Sequence, residues 1–396
     1  MQTIGVFFGS RSPEHDISII TGEFVIAELK KLGYPVVPIY LGKKGEWYVS
    51  ETLGKLAFFT QPNFEVELGK NNFEKYFLDL ETSHGKLVFR RKGITGREVV
   101  VDIAFPALHG ANGEDGTIQG LFELLDVPYI GCGVPASAIA MDKVLTKELY
   151  TAAGIATTPF IYFSRSDWNK KREALLADMQ AKLQGALFVK PPHLGSSIGI
   201  AKVKANDVAT LEEKIDVALH YDDTVLIEEA VENVMDLTCA VLENSENELT
   251  ASLVQESAFQ SDLFDFAGKY LNEGGAQLGK DEQNIIIPAR LSEEITNQIQ
   301  TNAKTIFRLV GASGIARIDF LFDRKTEKLY ANEVNPLPGT LYHHLWKASG
   351  FEIGDVIKQL FACALARQTK KKETISTFAS SVLQEAGSLK LWRKQN

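Results

Sequence analysis

The sequence predicts a mixed α/β protein whose first domain is built on a parallel β-sheet. Residues 3–41 read as an apolar strand, a polar loop, an amphipathic helix and a second strand, which is the order of a parallel strand–helix–strand unit. Residues 315–335 alternate between apolar and polar side chains on both sides of a short polar turn, which predicts a β-hairpin. The length of 396 residues favours two to three domains over one.

The composition is that of an ordinary globular protein that acts on small molecules. Apolar residues make up 45% of the chain, and the net charge of −9 disfavours general nucleic-acid binding, which requires a basic surface. Met1 is not followed by a basic leader and a long apolar stretch, so we expect a cytoplasmic protein without membrane association. Cys132, Cys239 and Cys363 are widely spaced, which favours neither a disulfide framework nor a zinc cluster.

Ligands of parallel α/β sheets bind beyond the carboxyl ends of the strands, so the loop at residues 10–16 is the first candidate site. This loop lacks the glycine fingerprint of a dinucleotide site, and we interpret it as a substrate loop. The glycine-rich loop 109–116 opens a helix whose free amide groups can bind an anion, although a purely structural loop fits the same motif. The other predicted elements of this domain are a helix ending at Gly33, a strand at Val36–Leu41, an irregular insertion at 43–100, a strand at 100–106 and a helix at 117–125.

Two further units are predicted after residue 133. In the second unit, a strand ending at Lys190 is followed by loop 191–199, which is rich in glycine and serine and therefore suits a phosphate group. In the third unit, residues 259–281 carry Lys269 and Tyr270 among several glycines, which favours a mobile lid over a closed site. The other predicted elements are helices at 136–153, 166–183 and 293–309, a strand at 224–229, a linker from Arg367 and a tail helix at 378–392.

The hairpin carries the clearest chemical signal. Residues two apart in a strand share a face, so Arg317 lies beside Asp319, and Glu333 beside Asn335, on one surface. Two carboxylates and one amide oxygen suit Mg²⁺, which keeps several waters and is usually completed by nucleotide phosphates. These four residues alone also fit the solvated face of an ordinary hairpin, so the other segments must decide between the two interpretations.

Nine motifs follow one another along the chain. They are Pro13-Glu14-His15-Asp16-Ile17-Ser18, His109-Gly-x-x-Gly-Glu-Asp-Gly, Met141-Asp-Lys143, Val189-Lys190-Pro191, Gly195-Ser-Ser-Ile-Gly199, Val225-Leu-Ile-Glu228-Glu229, Lys269-Tyr270, Arg317-Ile-Asp319 and Glu333-Val-Asn335-x-x-Pro-Gly339. Together these motifs resemble the D-alanine–D-alanine ligases of the ATP-grasp superfamily. The resemblance covers residues 1 to about 350 and implies a three-domain ATP-grasp architecture with an N-terminal parallel-sheet preATP-grasp domain. The implied units are residues 1–132, 133–229 and 230–366, followed by a tail at 367–396.

The resemblance implies an ATP-dependent ligase that makes the peptidoglycan precursor D-alanyl-D-alanine. In that family, ATP phosphorylates the carboxylate of a first D-alanine, and the amine of a second D-alanine attacks the acyl phosphate, which gives the dipeptide, ADP and phosphate. The implied cofactors are ATP and two Mg²⁺ ions, for which Mn²⁺ can substitute. The implied partners are small-molecule substrates and a second copy of the chain in a homodimer.

The resemblance also assigns roles to single residues. For the nucleotide, Lys143, Lys190, Ser197 and Lys269 would hold phosphates, Glu228 with the backbone of Glu229 to Val231 would read adenine, and Asp236 would contact the ribose. For the metal and the reacting carbonyl, Asp319, Glu333 and Asn335 would ligate magnesium, and Arg317 with the amide of Gly339 would stabilise the oxyanion. For the amino acids, Glu14 would bind the first ammonium in a triad with Ser196 and Tyr270, Ile17 and His109 would lie at the first substrate, and His344 would meet the second.

The sequence departs from the family at two of these positions. Asp236 stands where the family usually has glutamate, and it is shorter by one methylene. His344 takes the place of the serine that binds the second carboxylate in typical members. The second substrate is therefore open among D-alanine, which is the first choice, D-lactate and other small amines or hydroxy acids.

Two other functions compete with this interpretation. One is a different carboxylate–amine ligase, which the pocket loops 10–18 and 340–346 would distinguish, and the presence of Glu14 argues against it. The other is a nucleotide-binding relative without turnover. A complete metal set together with Arg317 and Lys269 argues against this second alternative, because a binding protein needs no oxyanion donor.

Overall fold

The computed structural model describes residues 2–69, 76–91, 97–195, 198–257, 285–375, 377 and 379–383. Strands within these ranges form four sheets that mix parallel and antiparallel pairing, and helices cover them. This architecture confirms the predicted α/β class. In the part of the chain that is described, no helix is both long and apolar enough to cross a bilayer.

The N-terminal part is built on a four-stranded sheet with parallel pairing at its centre, as predicted. Its elements are β1 (Ile4–Gly9), α1 (His15–Lys31), β2 (Val36–Leu41), β3 (Trp47–Val49), α2 (Leu56–Phe59), α3 (Phe64–Gly69), β4 (Tyr76–Leu78), β5 (Leu87–Arg91), β6 (Glu98–Val101), β7 (Ile103–Pro106) and α4 (Thr117–Leu124). Strand β1 pairs in parallel with both β2 and β7, so that Ile4 lies opposite Val36 and Ile103. All six residues of β1 are buried, which accounts for its continuous apolar run.

The segment between β3 and β7 is more regular than predicted. Strands β4, β5 and β6 form a small antiparallel sheet, so the expectation of an irregular insertion at 43–100 is wrong for this part. The single strand expected at 100–106 is also wrong, because the chain divides at Asp102 between β6 and β7. The Asp102 carboxylate accepts a 2.7 Å hydrogen bond from the Thr3 amide. Such a break depends on a distant backbone group, which a local apolar pattern does not record.

The central part is a four-stranded antiparallel sheet in the order β10-β9-β11-β8. Its elements are α5 (Val134–Met141), α6 (Lys143–Ala152), β8 (Phe160–Ser164), α7 (Arg165–Lys182), β9 (Leu187–Lys190), β10 (Ala201–Val203), α8 (Val208–Tyr221) and β11 (Thr224–Glu229). The single helix expected at 136–153 is wrong at Asp142, which has an extended backbone conformation. Its carboxylate accepts hydrogen bonds from the Val144 and Leu145 amides and thereby begins α6 as a separate helix.

The C-terminal part contains the hairpin and a larger sheet in the order β15-β14-β12-β16-β17. Its elements are β12 (Val234–Glu243), β13 (Leu249–Ala251), β14 (Gln255–Ser257), β15 (Ile285–Ile286), α9 (Glu293–Leu309), β16 (Ile315–Asp323), β17 (Lys328–Asn335), α10 (His343–Ala348) and α11 (Ile353–Glu373). The predicted hairpin and the predicted helix at 293–309 are confirmed. The predicted linker from Arg367 is wrong for 367–373, because these residues complete α11.

Candidate active site

The hairpin β16–β17 brings together the four polar residues that its alternation placed on one face. Asp319 pairs with Glu333 and Arg317 with Asn335, and a register shift follows directly after Asp319. The side chains of Arg317, Asp319 and Glu333 are 12%, 16% and 20% exposed. They are therefore largely withdrawn from water but remain open to a ligand.

Arg317 is a fixed cation at the centre of this surface. Its Nε donates to Asp319 Oδ1 at 2.9 Å, its Nη2 donates to Asp319 Oδ2 at 2.7 Å, and Glu333 Oε1 lies 4.0 Å from Nη2. The guanidinium also lies over the Tyr342 ring, 5.1 Å from its centroid. Burial alone would lower the pKa of Arg317, but the Asp319 carboxylate raises it well above its ordinary value. The positive charge is thus permanent.

Asp319 is held by donors from three strands. Thr238 on β12 donates to its Oδ1 at 2.9 Å, and Asn335 Nδ2 donates to its Oδ2 at 3.2 Å, in addition to the contacts with Arg317. The described residues contain no cluster of three or more histidine, cysteine or acidic side chains that could hold a metal alone. Two carboxylates with one amide instead match a hard divalent ion whose remaining ligands are water and phosphate oxygens. The donor set fits Mg²⁺ in that form.

Lys143 connects the hairpin to the central sheet. Its Nζ donates to the Leu194 carbonyl at 2.8 Å and lies 3.7 Å from Glu333 Oε2. An ammonium group in this position can hold an anion directly beside the carboxylate pair. The cleft at this junction is lined by Glu14, Glu114, Ala140, Met141, Lys143, Gly195, Glu333, Val334, Asn335 and Pro336.

Glu228 lies between two lysines at the end of β11. Its Oε2 is 2.7 Å from Lys147 Nζ, and its Oε1 pairs with Lys190. Lys147 also donates to the hydroxyls of Thr157 and Thr158 at 2.9 and 2.8 Å. Burial lowers the pKa of Lys147 to about 7.

Lys147 was not among the predicted site residues. It follows Lys143 by four positions on α6, so the two lysines share one face of the helix. This spacing after Met141-Asp-Lys143 is the signal in the sequence that could have identified it.

Glu14 is the predicted ammonium ligand, and it is 6% exposed between two loops. A Cβ atom on Gly110 would lie 2.4 Å from Glu14 Oε2, and a Cβ atom on Gly195 would lie 2.6 Å from the same oxygen. The backbone at Gly110 and Gly195 therefore lies so close to this carboxylate that a side chain at either position would require the Glu14 side chain to move. The site thus joins the N-terminal and central parts of the molecule.

Thr21 on α1 links the first-substrate region to the turn after β17. The predicted residue His109 lies with Nε2 2.8 Å from Thr21 Oγ1, and the Thr340 amide donates to the same oxygen at 3.2 Å. His109 Nδ1 lies 3.9 Å from Glu114, whose other carboxylate oxygen accepts from the Gly110 amide. Thr21 was not predicted, because nothing in its local sequence distinguishes it from a helical core residue.

The turn that begins at Gly339 leads into α10, which carries His344 in the place where the resemblance implies a serine. Thr340, Leu341 and Tyr342 have φ angles of +47°, +56° and +52°, which is unusual for residues with side chains. His344 Nε2 is 2.8 Å from Gln255 Oε1, and the Gln255 amide donates to Tyr342 Oη at 3.2 Å. Burial lowers the pKa of His344 to about 4, with smaller contributions from His343 and Arg317, so the ring is neutral near pH 7.

Some of the remaining predicted residues lie outside the described ranges, and the others have a defined position. Ser196, Ser197, Lys269, Tyr270 and the predicted lid at 259–281 lie outside the described residues. Ile17 is buried on α1, and Val231 lies between β11 and β12. The Glu229 carboxylate accepts a hydrogen bond from the backbone amide of Gln184 at 2.7 Å. Asp236 lies on β12 opposite Ser257.

Family models match most of the chain. The model described as D-ala D-ala ligase N-terminus matches residues 3–132, and the model described as D-ala D-ala ligase C-terminus matches residues 149–362. A D-alanine–D-alanine ligase from Thermosipho africanus is 37% identical over 375 residues, which cover 95% of this chain and 96% of that protein. A D-alanine–D-alanine ligase from Heliobacterium modesticaldum is 34% identical over 376 residues, which cover 94% and 96%.

Solved structures of D-alanine ligases also resemble this chain over most of its length. The D-alanine–D-alanine ligase from Coxiella burnetii has a TM-score of 0.75 at 28% identity and covers 94% of this chain and 96% of that one. The VanG D-Ala:D-Ser ligase from Enterococcus faecalis has a TM-score of 0.76 at 29% identity and covers 92% and 99%. The similarity therefore extends over the whole fold and is not confined to one unit.

Proposed function

Because the chain belongs to the D-alanine–D-alanine ligase family, we propose that it joins two D-alanine molecules into D-alanyl-D-alanine at the expense of ATP. The observation that carries this proposal is the arrangement of Arg317 on the same surface as Asp319, Glu333 and Asn335. An oxygen donor set beside a permanent cation serves a reaction in which phosphoryl and carbonyl oxygens both carry negative charge.

The nucleotide and metal positions follow from the charges of the site. Asp319, Glu333 and Asn335 would hold Mg²⁺, which when bound neutralises the phosphate oxygens of the nucleotide. We propose two such ions, with Mn²⁺ as a substitute, because both metals prefer oxygen ligands. The side chains of Lys143 and Lys190 would contact the phosphates, with Ser197 and Lys269 completing the set, and Glu228 to Val231 and Asp236 would contact the adenosine.

The reaction has two steps, each with a charge that the chain can offset. The γ-phosphoryl group of ATP passes to the carboxylate of the first D-alanine, which forms an acyl phosphate and releases ADP. The free amine of the second D-alanine attacks the acyl carbon and forms the peptide bond. The bond between that carbon and the phosphate oxygen breaks, and the amine loses one proton, which leaves with the phosphate as hydrogen phosphate. Glu14, with Ser196 and Tyr270, would hold the first ammonium near Ile17 and His109, while Arg317 and the Gly339 amide would donate to the oxyanion.

The subsite for the second substrate is where this chain differs from its family. His344 is neutral near pH 7, and its single ring N–H donates to Gln255 Oε1. The other ring nitrogen can therefore accept a hydrogen bond from a hydroxyl or amine, but the ring offers neither a charge nor a second donor to a carboxylate. We propose D-alanine as the second substrate, with D-serine and D-lactate as the competing acceptors. We further propose a homodimer that works in the cytoplasm on peptidoglycan precursors.

A phosphate-release assay with mass spectrometry of the product tests the reaction. Purified protein with ATP and Mg²⁺ should release phosphate when D-alanine is added and should form a product with the mass of the dipeptide. L-alanine is the matched control and should release none. Faster turnover of D-alanine with D-serine or D-lactate would reassign the second substrate, and no ADP with any D-amino acid would refute the ligase activity.

Two substitutions test the hairpin residues. Arg317→Ala removes the oxyanion donor and Glu333→Gln removes a metal ligand, and each should lower kcat by about 10²- to 10³-fold. Arg324→Ala is the matched control, because Arg324 lies just beyond the same strand with a side chain that is 52% exposed and paired with Glu256. Wild-type turnover in both Arg317→Ala and Glu333→Gln would contradict the assigned roles.

A further inference from the structure

His193 lies in the loop between β9 and β10, with its imidazole ring between carboxylates from two different elements. Its Nδ1 is 2.8 Å from Asp222 Oδ2, and its Nε2 is 3.3 Å from Asp142 Oδ2. The backbone amide of His193 also donates to Asp222 Oδ2 at 3.0 Å. Because ionised carboxylates only accept hydrogen bonds, both ring nitrogens must carry protons, and the ring is an imidazolium.

The two carboxylates are themselves held in place by backbone amides. Asp142 Oδ1 accepts from the Val144 amide at 2.9 Å and from the Leu145 amide at 3.0 Å, where it caps α6. Asp222 Oδ1 accepts from the Thr224 amide at 3.3 Å, at the start of β11. The imidazolium therefore connects two acceptors that have fixed positions, and their positions determine where the loop lies.

The residues on either side of His193 hold Lys143. The Lys143 amide donates to the Pro192 carbonyl at 3.3 Å, and the Lys143 ammonium donates to the Leu194 carbonyl at 2.8 Å. A displacement of His193 would move both carbonyls together. The direction of the Lys143 ammonium toward Glu333 therefore depends on where His193 is anchored.

We infer that His193 is a positioning residue for the nucleotide, because its charged ring ties Asp222 to Asp142 and so fixes the carbonyls that direct Lys143. The inference rests on the proposed function in one respect, which is that Lys143 contacts a nucleotide phosphate. The positive ring has a second effect, since it offsets two carboxylates that would otherwise repel an incoming triphosphate.

The surrounding charges keep this ring protonated at neutral pH. The hydrogen bond to Asp142 makes the largest contribution and the hydrogen bond to Asp222 the next, and together they raise the pKa of His193 to about 10, although burial lowers it. The neighbouring charged groups on the same elements are Lys143, which is bonded to Leu194, and Asp223, which pairs with Arg165. Since the pKa is raised on folding, the contribution of the protonated ring to the free energy of unfolding is fully present below about pH 6.5. This contribution is lost as the pH rises through about 10.

Steady-state kinetics of two His193 variants test the inference. His193→Phe keeps a ring of similar size but removes both donors and the charge, and we expect it to raise the KM for ATP about tenfold. The kcat and the KM for D-alanine should stay within about twofold of wild type, because the nucleotide is the substrate that Lys143 would contact under the proposed function. His193→Arg restores two donors and a positive charge, and it should recover most of the ATP affinity.

A second histidine supplies the control. His220 is exposed on α8, two residues before Asp222, and its Nδ1 donates to the Asp216 carbonyl at 2.7 Å. His220→Phe should leave all three kinetic constants unchanged. An unaltered ATP KM in His193→Phe, or a His193→Arg variant as impaired as His193→Phe, would overturn the inference.

A titration separates this inference from the proposed reaction. In protein with ¹³C-labelled histidine, the ring signal that disappears in His193→Phe should remain that of an imidazolium up to pH 8, and a midpoint near 6.5 would contradict the inference. If the wild-type chain makes no dipeptide, the proposed reaction fails, but calorimetry still measures the inferred effect. His193→Phe should then bind ATP about tenfold more weakly than wild type, and equal affinity would refute the positioning role.

Discussion

The carboxylate of Glu14 is confined by two loops that approach it through glycine residues. At Gly110, a side chain is disfavoured both by the contact with Glu14 and by a φ angle of +67°. At Gly195, a side chain would meet only the end of the Glu14 side chain among its nearest atoms, and no left-handed φ is involved. A substitution at Gly195 therefore tests the position of Glu14 without introducing backbone strain.

We predict that Gly195→Ala weakens binding of the first D-alanine. The added Cβ would lie 2.6 Å from Glu14 Oε2, and relief of such overpacking costs about 1–3 kcal/mol. This cost corresponds to about a tenfold to hundredfold increase in the KM for D-alanine, measured in the phosphate-release assay. Gly120→Ala on α4 is the control, because nothing lies within 4 Å of a Cβ at that position. Equal KM values for the two variants would contradict the prediction that a displaced Glu14 weakens binding of the first D-alanine.

Among the secondary-structure elements, those with a local signal agree with the sequence-based predictions. The hairpin β16–β17 shows a clear alternation over two segments, and helix α9 has a serine cap and one apolar face. The break at Asp142 was not predicted, because a capping aspartate between two short helices resembles one polar position in a longer helix. Contacts such as that of Lys147 with Glu228 were also missed, since they join segments that only the tertiary fold brings together.

The buried Lys147–Glu228 pair connects α6 to β11. The side chains of both residues are 2% exposed. Lys147→Met preserves the length of the side chain but leaves the Glu228 carboxylate with one cationic partner fewer. Removal of one partner from a buried ion pair costs about 3–5 kcal/mol, and we expect a decrease of that size in the free energy of unfolding, measured by chemical denaturation.

A surface ion pair gives the control for this prediction. Lys182 and Asp178 form an i, i+4 pair on α7 with side chains that are 62% and 40% exposed. Lys182→Met should therefore change the free energy of unfolding by at most about 1 kcal/mol. If Lys147→Met were as stable as Lys182→Met, the buried pair would not hold α6 against the central sheet.

At the scale of the whole molecule, one hydrophobic cluster among the described residues joins the N-terminal and C-terminal parts, and each part also has a cluster of its own. The largest cluster of buried residues includes Ile4 of β1, Ile315 of β16 and Val356 of α11. The central sheet has a separate cluster around Trp168 and Val225. Glu14 and Arg317 therefore belong to parts that pack together as one body, whereas Lys190 reaches the site from a sheet with its own core.

Helix α11 reinforces this shared body beyond the point where a linker was predicted. Arg367 donates to the carbonyls of Gly131 and Tyr129, each at 2.6 Å, and its guanidinium lies 4.2 Å from the centroid of the Tyr129 ring. Lys371 lies 2.6 Å from Glu123 and 3.2 Å from Asp126. The last two turns of α11 thus contact residues 123–131, at the end of the N-terminal part.

We predict that Arg367→Ala loosens this attachment. Loss of two hydrogen bonds from a charged donor costs about 1–3 kcal/mol, so amide hydrogen exchange should become faster in residues 123–132. Lys358→Ala on the same helix is the control, because the Lys358 side chain is 59% exposed and forms its ion pair within α11, with Asp355 at 3.0 Å. A chain that ends at Glu373 should keep wild-type exchange, whereas a chain that ends at Ala366 should exchange at least as fast as Arg367→Ala. Wild-type exchange in the shorter chain would mean that the N-terminal domain is held by the shared core alone.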